Sequence, residues 1–83
     1  MASLFCLRGD RLEYIRAGSA FRRVRAGPMT ETAEISSVYT DQSGIPHVRY
    51  DVVFEAPSLP TVREPRSLAA RTFLATFTER VAR

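Results

Sequence analysis

The chain alternates between apolar and polar residues over positions 30–55, with a turn at positions 41–46 interrupting the pattern. Apolar side chains occupy odd positions before the turn and even positions after it: Ala33, Ile35, Tyr39, Val48, Tyr50, Val52 and Phe54. Residues two positions apart point to the same face of a β-strand, so this period predicts a hairpin with one buried and one solvated face. We therefore expect strands near residues 31–40 and 47–55, with the aromatic side chains of that set in the core.

Weaker signals predict further strands on both sides of the hairpin. A Gly-Asp turn signal precedes residues 11–16, which have the composition of a first strand. Residues 17–28 form a glycine-bounded loop with room for a short strand around residues 21–25. Two prolines then break the pattern, and residues 61–64 form a candidate short fourth strand.

The spacing of apolar residues changes near the end of the chain and predicts a helix near residues 68–82. The residues at intervals of three and four are Ala70, Phe73, Leu74, Phe77 and Val81. Ser67 precedes them and has a hydroxyl that can cap the first turn. A sheet this small needs a cover, so we expect the apolar face of the helix to dock on it.

Together these elements predict one domain over residues 1–83, since a chain of 83 residues builds one modest core. The predicted fold class is mostly β, of the α+β type: a small bent antiparallel sheet or barrel of four or five strands with one C-terminal helix. No run approaches the ~18 apolar residues of a membrane span, and the first residues lack a signal peptide's basic region. We expect a cytoplasmic protein with no membrane partner.

Residues that bind metals are scarce. Cys6 is the only cysteine and His47 the only histidine, whereas a structural zinc site needs four such ligands. We therefore expect no metal and no cofactor. The apolar run around Cys6 favours a buried thiol over a reactive one.

Catalysis through His47 is a second idea that the sequence disfavours. Ser36 or Ser43 with an aspartate can be imagined as the other members of a nucleophilic triad. The chain has no G-x-S-x-G motif, and a histidine at the end of a turn is typical of a surface residue. We expect that the protein is not an enzyme.

Half of the chain carries a pattern of turns and strands seen in a known group of domains. It comprises the run Gly9-Asp10-Arg11-Leu12-Glu13-Tyr14, then residues 33–41, Gly44 and residues 48–54. A Gly-Asp turn followed by a strand, a turn and an aromatic-rich strand resembles the small SH3-like barrels of the KOW and Tudor type, found in many short bacterial proteins. Members bind RNA, DNA, methylated peptides or other protein domains, so the resemblance implies binding rather than catalysis.

Tudor-type domains grip cationic side chains in a cage of aromatic residues. The candidates for such a cage here are Tyr14, Tyr39, Tyr50 and Phe54. The last three share the parity of the core in their strands, so the alternation favours a structural role for them over a cage.

Positive charge is concentrated in the first third of the chain. All twelve basic residues are arginine, and the net charge is +3. Residues 1–28 hold six arginines and two acids, whereas residues 29–83 hold six arginines and seven acids. We expect an anionic partner, such as RNA, DNA or an acidic protein surface, to contact the loop at residues 17–28 and the polar face of the third strand.

The candidate ligand-binding residues are Phe21, Arg22, Arg23, Arg25 and Arg49. Guanidinium groups suit phosphates, and the ring of Phe21 suits stacking on a base. Two other interpretations stay open. The arginines can instead pair with Glu31 or Glu34, or be solvated without a function. The protein can also be a protein–protein adaptor or a small homodimer with no nucleic-acid role, in which Phe21 and Val24 anchor the partner and the arginines surround the contact.

Overall fold

The computed structural model describes residues 15–81, which form a five-stranded antiparallel sheet and one short helix. In chain order the elements are β1 (Ala20–Arg23), β2 (Thr30–Thr40), β3 (Pro46–Glu55), β4 (Val62–Ala69), α1 (Ala70–Thr76) and β5 (Glu79–Val81). The strands are arranged β4-β3-β2-β1-β5, so the last strand returns to pair with the first. The prediction of a mostly β fold of the α+β type is confirmed.

The predicted hairpin is present as β2 and β3. These two strands pair along the whole of β2, from Thr30 to Thr40. In the connecting turn, the carboxylate of Asp41 accepts hydrogen bonds from two backbone amides two and four residues further on. Gly44 adopts φ +82°, a conformation that costs a side-chain-bearing residue free energy and that glycine adopts readily. Local turn chemistry and the alternation therefore support the same hairpin.

A β-bulge in β2 changes which residues face the core. The pairing with β3 shifts between Ile35 and Ser37, and the one extra residue reverses the alternation beyond that point. As a result Val38 packs against the core, whereas Tyr39 is 36% exposed. The prediction that Tyr39 is a core residue is wrong, because strict alternation assumes an uninterrupted ladder.

The core lies between α1 and one face of the sheet, which we call the core face; the opposite side is the outer face. The largest fully buried side chains of the core are Phe21, Val48, Val52 and Phe73. The ring of Phe73 makes edge contacts with Tyr50, at 5.0 Å between centroids, and with Phe21, at 5.5 Å. Tyr50 is buried as predicted, and Phe54 is half-buried at the margin of this cluster.

The C-terminal helix is shorter than the predicted span of residues 68–82. α1 ends at Thr76, Phe77 has extended backbone angles, and residues 79–81 form β5. Val81, which spacing assigned to the helix face, lies in that strand and pairs with β1. The physical reason is that β5 satisfies backbone groups along the edge of β1, a requirement that side-chain spacing does not reflect. Within residues 15–81, no helix combines the length and apolar character needed to cross a membrane.

The sequence predicts two further short strands, near residues 21–25 and 61–64, and the structure has a strand at each place with different bounds. The strand suggested near residues 21–25 is present as β1. The fourth strand was expected at residues 61–64, but β4 continues through Pro65 and Ser67 to the start of α1. Ser67 is therefore a strand residue and does not cap the helix. A proline is tolerated in β4 because that strand forms an edge of the described sheet.

The predicted first strand at residues 11–16 lies largely outside the described residues, as do Cys6 and Tyr14. Ile15 and Arg16 are described and do not belong to a strand. Ile15 is nevertheless 5% exposed and belongs to the core cluster. The chain therefore enters the described fold through a buried isoleucine.

Candidate anion-binding surface

Two of the candidate arginines bind an acid of the same chain. The guanidinium of Arg25 lies 2.8 Å from Glu31, and that of Arg23 lies 3.7 Å from the other carboxylate oxygen. The Glu31 side chain is only 5% exposed. A buried carboxylate needs such compensation, because desolvating an unpaired charge is costly. Arg23 and Arg25 thus follow the alternative interpretation, in which loop arginines pair with glutamates.

Arg22 faces the other way. Its guanidinium lies 3.3 Å from Glu79 of β5 on the outer face, and both side chains are about half exposed. Ion pairs of this kind contribute little to stability. Neighbouring residues of a strand alternate between faces, so Arg22 and Arg23 do not form one patch.

Phe21 is fully buried. Its exposure is 0%, and its ring packs edge-on against Phe73. A ring in this position cannot stack on a base or anchor a partner protein. The predicted ligand-binding role of Phe21 is therefore wrong, because β1 turns this side chain toward the core. A strand of four residues is too short for alternation to predict which side chains are buried.

Arg49 differs from the other candidates. It lies on the outer face of β3, and its guanidinium carbon sits 4.6 Å from the centroid of the Tyr39 ring. Among residues 15–81 no carboxylate forms an ion pair with it. Ser36, at the bulge, donates its hydroxyl to the Arg49 carbonyl at 3.0 Å. The guanidinium therefore lies over an aromatic ring, and within residues 15–81 its N–H groups form no ion pair with a carboxylate.

The Tyr39 ring has a second planar neighbour in His47. The two rings are nearly parallel, at 15°, with centroids 5.2 Å apart, because the residues are direct partners across β2 and β3. The Tyr39 hydroxyl reaches Ser67 of β4, 3.5 Å away. We call these residues, with Arg49, the Tyr39 cluster. It consists of Tyr39, His47, Arg49 and Ser67.

Asp41 orients the imidazole of this cluster. One of its oxygens lies 2.8 Å from His47 Nε2, and the other accepts the turn amides. The pKa of the Asp41 carboxyl is lowered below its ordinary value, chiefly by the Ile45 amide, then by the His47 ring and the Ser43 amide.

The sequence predicted Arg49 but missed the other members of the cluster. The alternation assigns Tyr39 to the core, and the sequence offers His47 as a surface residue or as part of a triad with an aspartate, without linking it to Tyr39 or Arg49. The signal that marks the bulge is the pair Ser36 and Ser37, followed by Val38 on the parity that had been polar. Two adjacent polar residues inside an alternating strand are compatible with an inserted position, although they do not specify one.

In the described sheet, the other two arginines of the outer face are paired with acids. Arg63 lies 2.7 Å from Glu34 and 3.5 Å from Asp51, so one guanidinium bridges two acids. Further from the hairpin turn, Arg22 has its partner in β5. Arg49 is thus the candidate arginine on this face whose charge is not offset by an ion pair within residues 15–81.

His47 has no catalytic arrangement around it in the described structure. Its ring contacts Asp41, whereas the hydroxyl of Ser36 is bonded to a backbone carbonyl. Within residues 15–81, no three side chains of the metal-binding types come together. These contacts favour orientation of the ring over proton transfer to a nucleophile.

Comparisons of the chain with protein-family models, with curated proteins and with solved structures give no match. The resemblance to SH3-like barrels of the KOW and Tudor type therefore stays a prediction.

Proposed function

We propose that this protein is a small non-enzymatic binding module for an anionic partner, with nucleic acid, RNA or DNA, as the partner class. The proposal is supported by the Arg49 guanidinium, which is stacked over Tyr39 and lacks an acidic partner within residues 15–81. Stacking holds the guanidinium plane in place and leaves its N–H edges for a phosphate.

The neighbours of Arg49 are suited to the other parts of a nucleotide. The stacked rings of Tyr39 and His47 form an aromatic pair on the outer face, and stacking of a base on such a pair tolerates any sequence. The hydroxyl groups of Tyr39 and Ser67 are further hydrogen-bonding groups at the same place. Arg22, Arg23 and Arg25 lie at the end of β2 away from Tyr39, so we assign them no direct contact in this proposal.

The test is the affinity for fluorescent oligonucleotides of RNA and DNA, single- and double-stranded, measured by anisotropy between about 50 and 200 mM salt. We expect affinity to fall as salt rises, and Arg49→Ala to weaken binding and reduce the salt slope by about one. Arg71→Ala is the matched control, because it removes the same charge from an exposed position on α1.

Two results would overturn the proposal. One is the absence of binding to every oligonucleotide at the lowest salt concentration. The other is an equal effect of Arg49→Ala and Arg71→Ala, which would indicate a general charge effect without a site. Tyr39→Phe separates the ring from the hydroxyl: stacking predicts that affinity survives this change.

A further inference from the structure

The sheet extends beyond the helix that covers it. α1 has seven residues and is therefore about 10 Å long, whereas the eleven residues of β2 span about 35 Å. Through Phe73, the helix lies over the rings of Phe21 and Tyr50. On the core face, the row of cross-strand partners that follows Phe21, farther from the hairpin turn, lies beyond the rings that Phe73 contacts.

That row, with the two adjoining connections, forms what we call the open end. It comprises Arg23, Glu31, Phe54 and Val62, which are successive partners across four strands, together with residues 24–29 and 56–61. Four of the six large apolar side chains that are exposed within residues 15–81 lie here. They are Val24 at 68%, Met29 at 39%, Leu59 at 62% and Val62 at 47% exposure.

A single exposed apolar residue needs no explanation, but a group gathered at one end of a small domain marks an interaction surface. The half-buried ring of Phe54 belongs to the same row, so the exposed side chains continue from the core cluster. Burying them against a partner would extend the hydrophobic core outward.

At the open end a buried carboxylate lies beneath more exposed guanidinium groups. The Glu31 carboxylate is buried, while the side chains of Arg23 and Arg25 above it are 47% and 44% exposed. Arg66, whose guanidinium carbon is 5.8 Å from the Phe54 ring, is 49% exposed and paired with Glu64. Each guanidinium has five N–H donors and binds its glutamate through one nitrogen, so donors remain for an outside acceptor. The surface therefore presents guanidinium groups around apolar side chains, with the exposed Glu64 carboxylate beside Arg66.

We infer that the open end binds a segment of a partner protein in which an apolar anchor is flanked by acidic side chains. The apolar residues supply the desolvated centre of such a contact, and the arginines supply charge-assisted bonds around it. A symmetric contact between two copies would instead bring the Arg23 and Arg25 side chains of both copies into one interface, while Glu31 is buried in each copy. This surface lies on the face and at the end of the hairpin opposite to Arg49, so it is independent of the nucleic-acid proposal.

The experiment is a selection from a library of random displayed peptides against the full-length protein. The affinities of the enriched peptides are then measured with synthetic copies. We expect enriched sequences to combine leucine, isoleucine or phenylalanine with aspartate or glutamate. The double variant Val24→Ser/Leu59→Ser should weaken their binding at least about tenfold. Ile45→Ser is the matched control, since Ile45 is 48% exposed at the opposite end of the hairpin and should leave affinity unchanged.

Additional measurements test the role of the acidic side chains and the oligomeric state. Replacing the acids of the best peptide by glutamine should weaken binding, and Arg49→Ala should not. Absence of enrichment, enrichment of basic peptides, or an equal loss in Ile45→Ser overturns the inference. Sedimentation that reveals a dimer abolished by Val24→Ser/Leu59→Ser would make a second copy the occupant and also overturn it. If the double variant unfolds at a lower urea concentration, Leu59→Ser alone, in the exposed turn, takes its place under the same criteria.

Discussion

Arg25 and Glu31 form an ion pair of 2.8 Å in which the carboxylate side is 5% exposed and the guanidinium side 44% exposed. The pair ties the loop between β1 and β2 to the open end of the core. It also explains why a cluster of arginines that looks like a phosphate-binding loop in the sequence has a structural role. The buried carboxylate needs these cations, so their pairing with Glu31 supports the fold, while their exposed N–H groups face solvent.

Replacing Glu31 by alanine should destabilise the fold by about 2 kcal/mol, because it removes a charge-assisted hydrogen bond to Arg25 and an ion pair with Arg23 at a buried position. Urea unfolding monitored by circular dichroism measures the change. Glu79→Ala is the control: its partner Arg22 is exposed, so the cost should stay below about 1 kcal/mol. Equal costs for the two variants would contradict the distinction between the buried and the exposed pair.

Phe73→Ala should leave little of the protein folded. The side chain is fully buried among three aromatic rings, and truncating such a residue costs about 3–5 kcal/mol, which approaches the total stability expected of a domain this size. Arg71→Ala, on the exposed side of the same helix, should be nearly neutral. Thermal unfolding of both variants checks this, and a Phe73→Ala protein of unchanged midpoint would mean that α1 does not cover the core.

Acidification should weaken the hairpin turn through Asp41. The folded pKa of this carboxyl is lowered below its ordinary value of 3.8, so above pH 3.8 both states are ionised and its stabilising contribution is complete. As the pH falls through 3.8 and then through the folded pKa, the unfolded state takes up its proton first and the contribution is lost. Unfolding midpoints between pH 6 and pH 2 should therefore fall less steeply in Asp41→Asn than in the unmodified chain. Parallel curves for the two proteins would exclude this role.

Deleting Ser36 should remove the bulge and restore strict alternation in β2. Because Ser36 is the unpaired residue, its deletion leaves the pairs from Ser37 to Thr40 in register, and Tyr39 stays on the outer face. The contact between the Tyr39 and His47 rings, seen as nuclear Overhauser effects, should therefore persist in the deletion variant. Ser36→Ala keeps the chain length and should also preserve that contact. Loss of the contact in the deletion variant would show that Ser36 is not the inserted residue.

Alternation and turn chemistry were sufficient to predict the β2–β3 hairpin, since both are local properties of the chain. The bulge escaped the same reasoning because an inserted residue is defined by its partner strand. Ala33, Ile35 and Tyr50 fall where period two puts them, and Tyr39, four residues past Ile35, does not. Helix spacing likewise located Phe73 and Phe77 correctly but overran the end of α1, where the open edge of β1 recruits residues 79–81.

The sequence by itself determined the fold class, the central hairpin, the apolar face of α1 and Arg49 as a candidate. Each of these depends on a short-range pattern of side-chain polarity, which folding preserves. The tertiary structure alone decided which arginines are paired with acids, that Phe21 is buried, and that Arg49 and His47 both contact the Tyr39 ring. Those outcomes depend on strand register and on burial, which bring together residues far apart in the chain, such as Arg22 and Glu79, and no local pattern encodes that meeting.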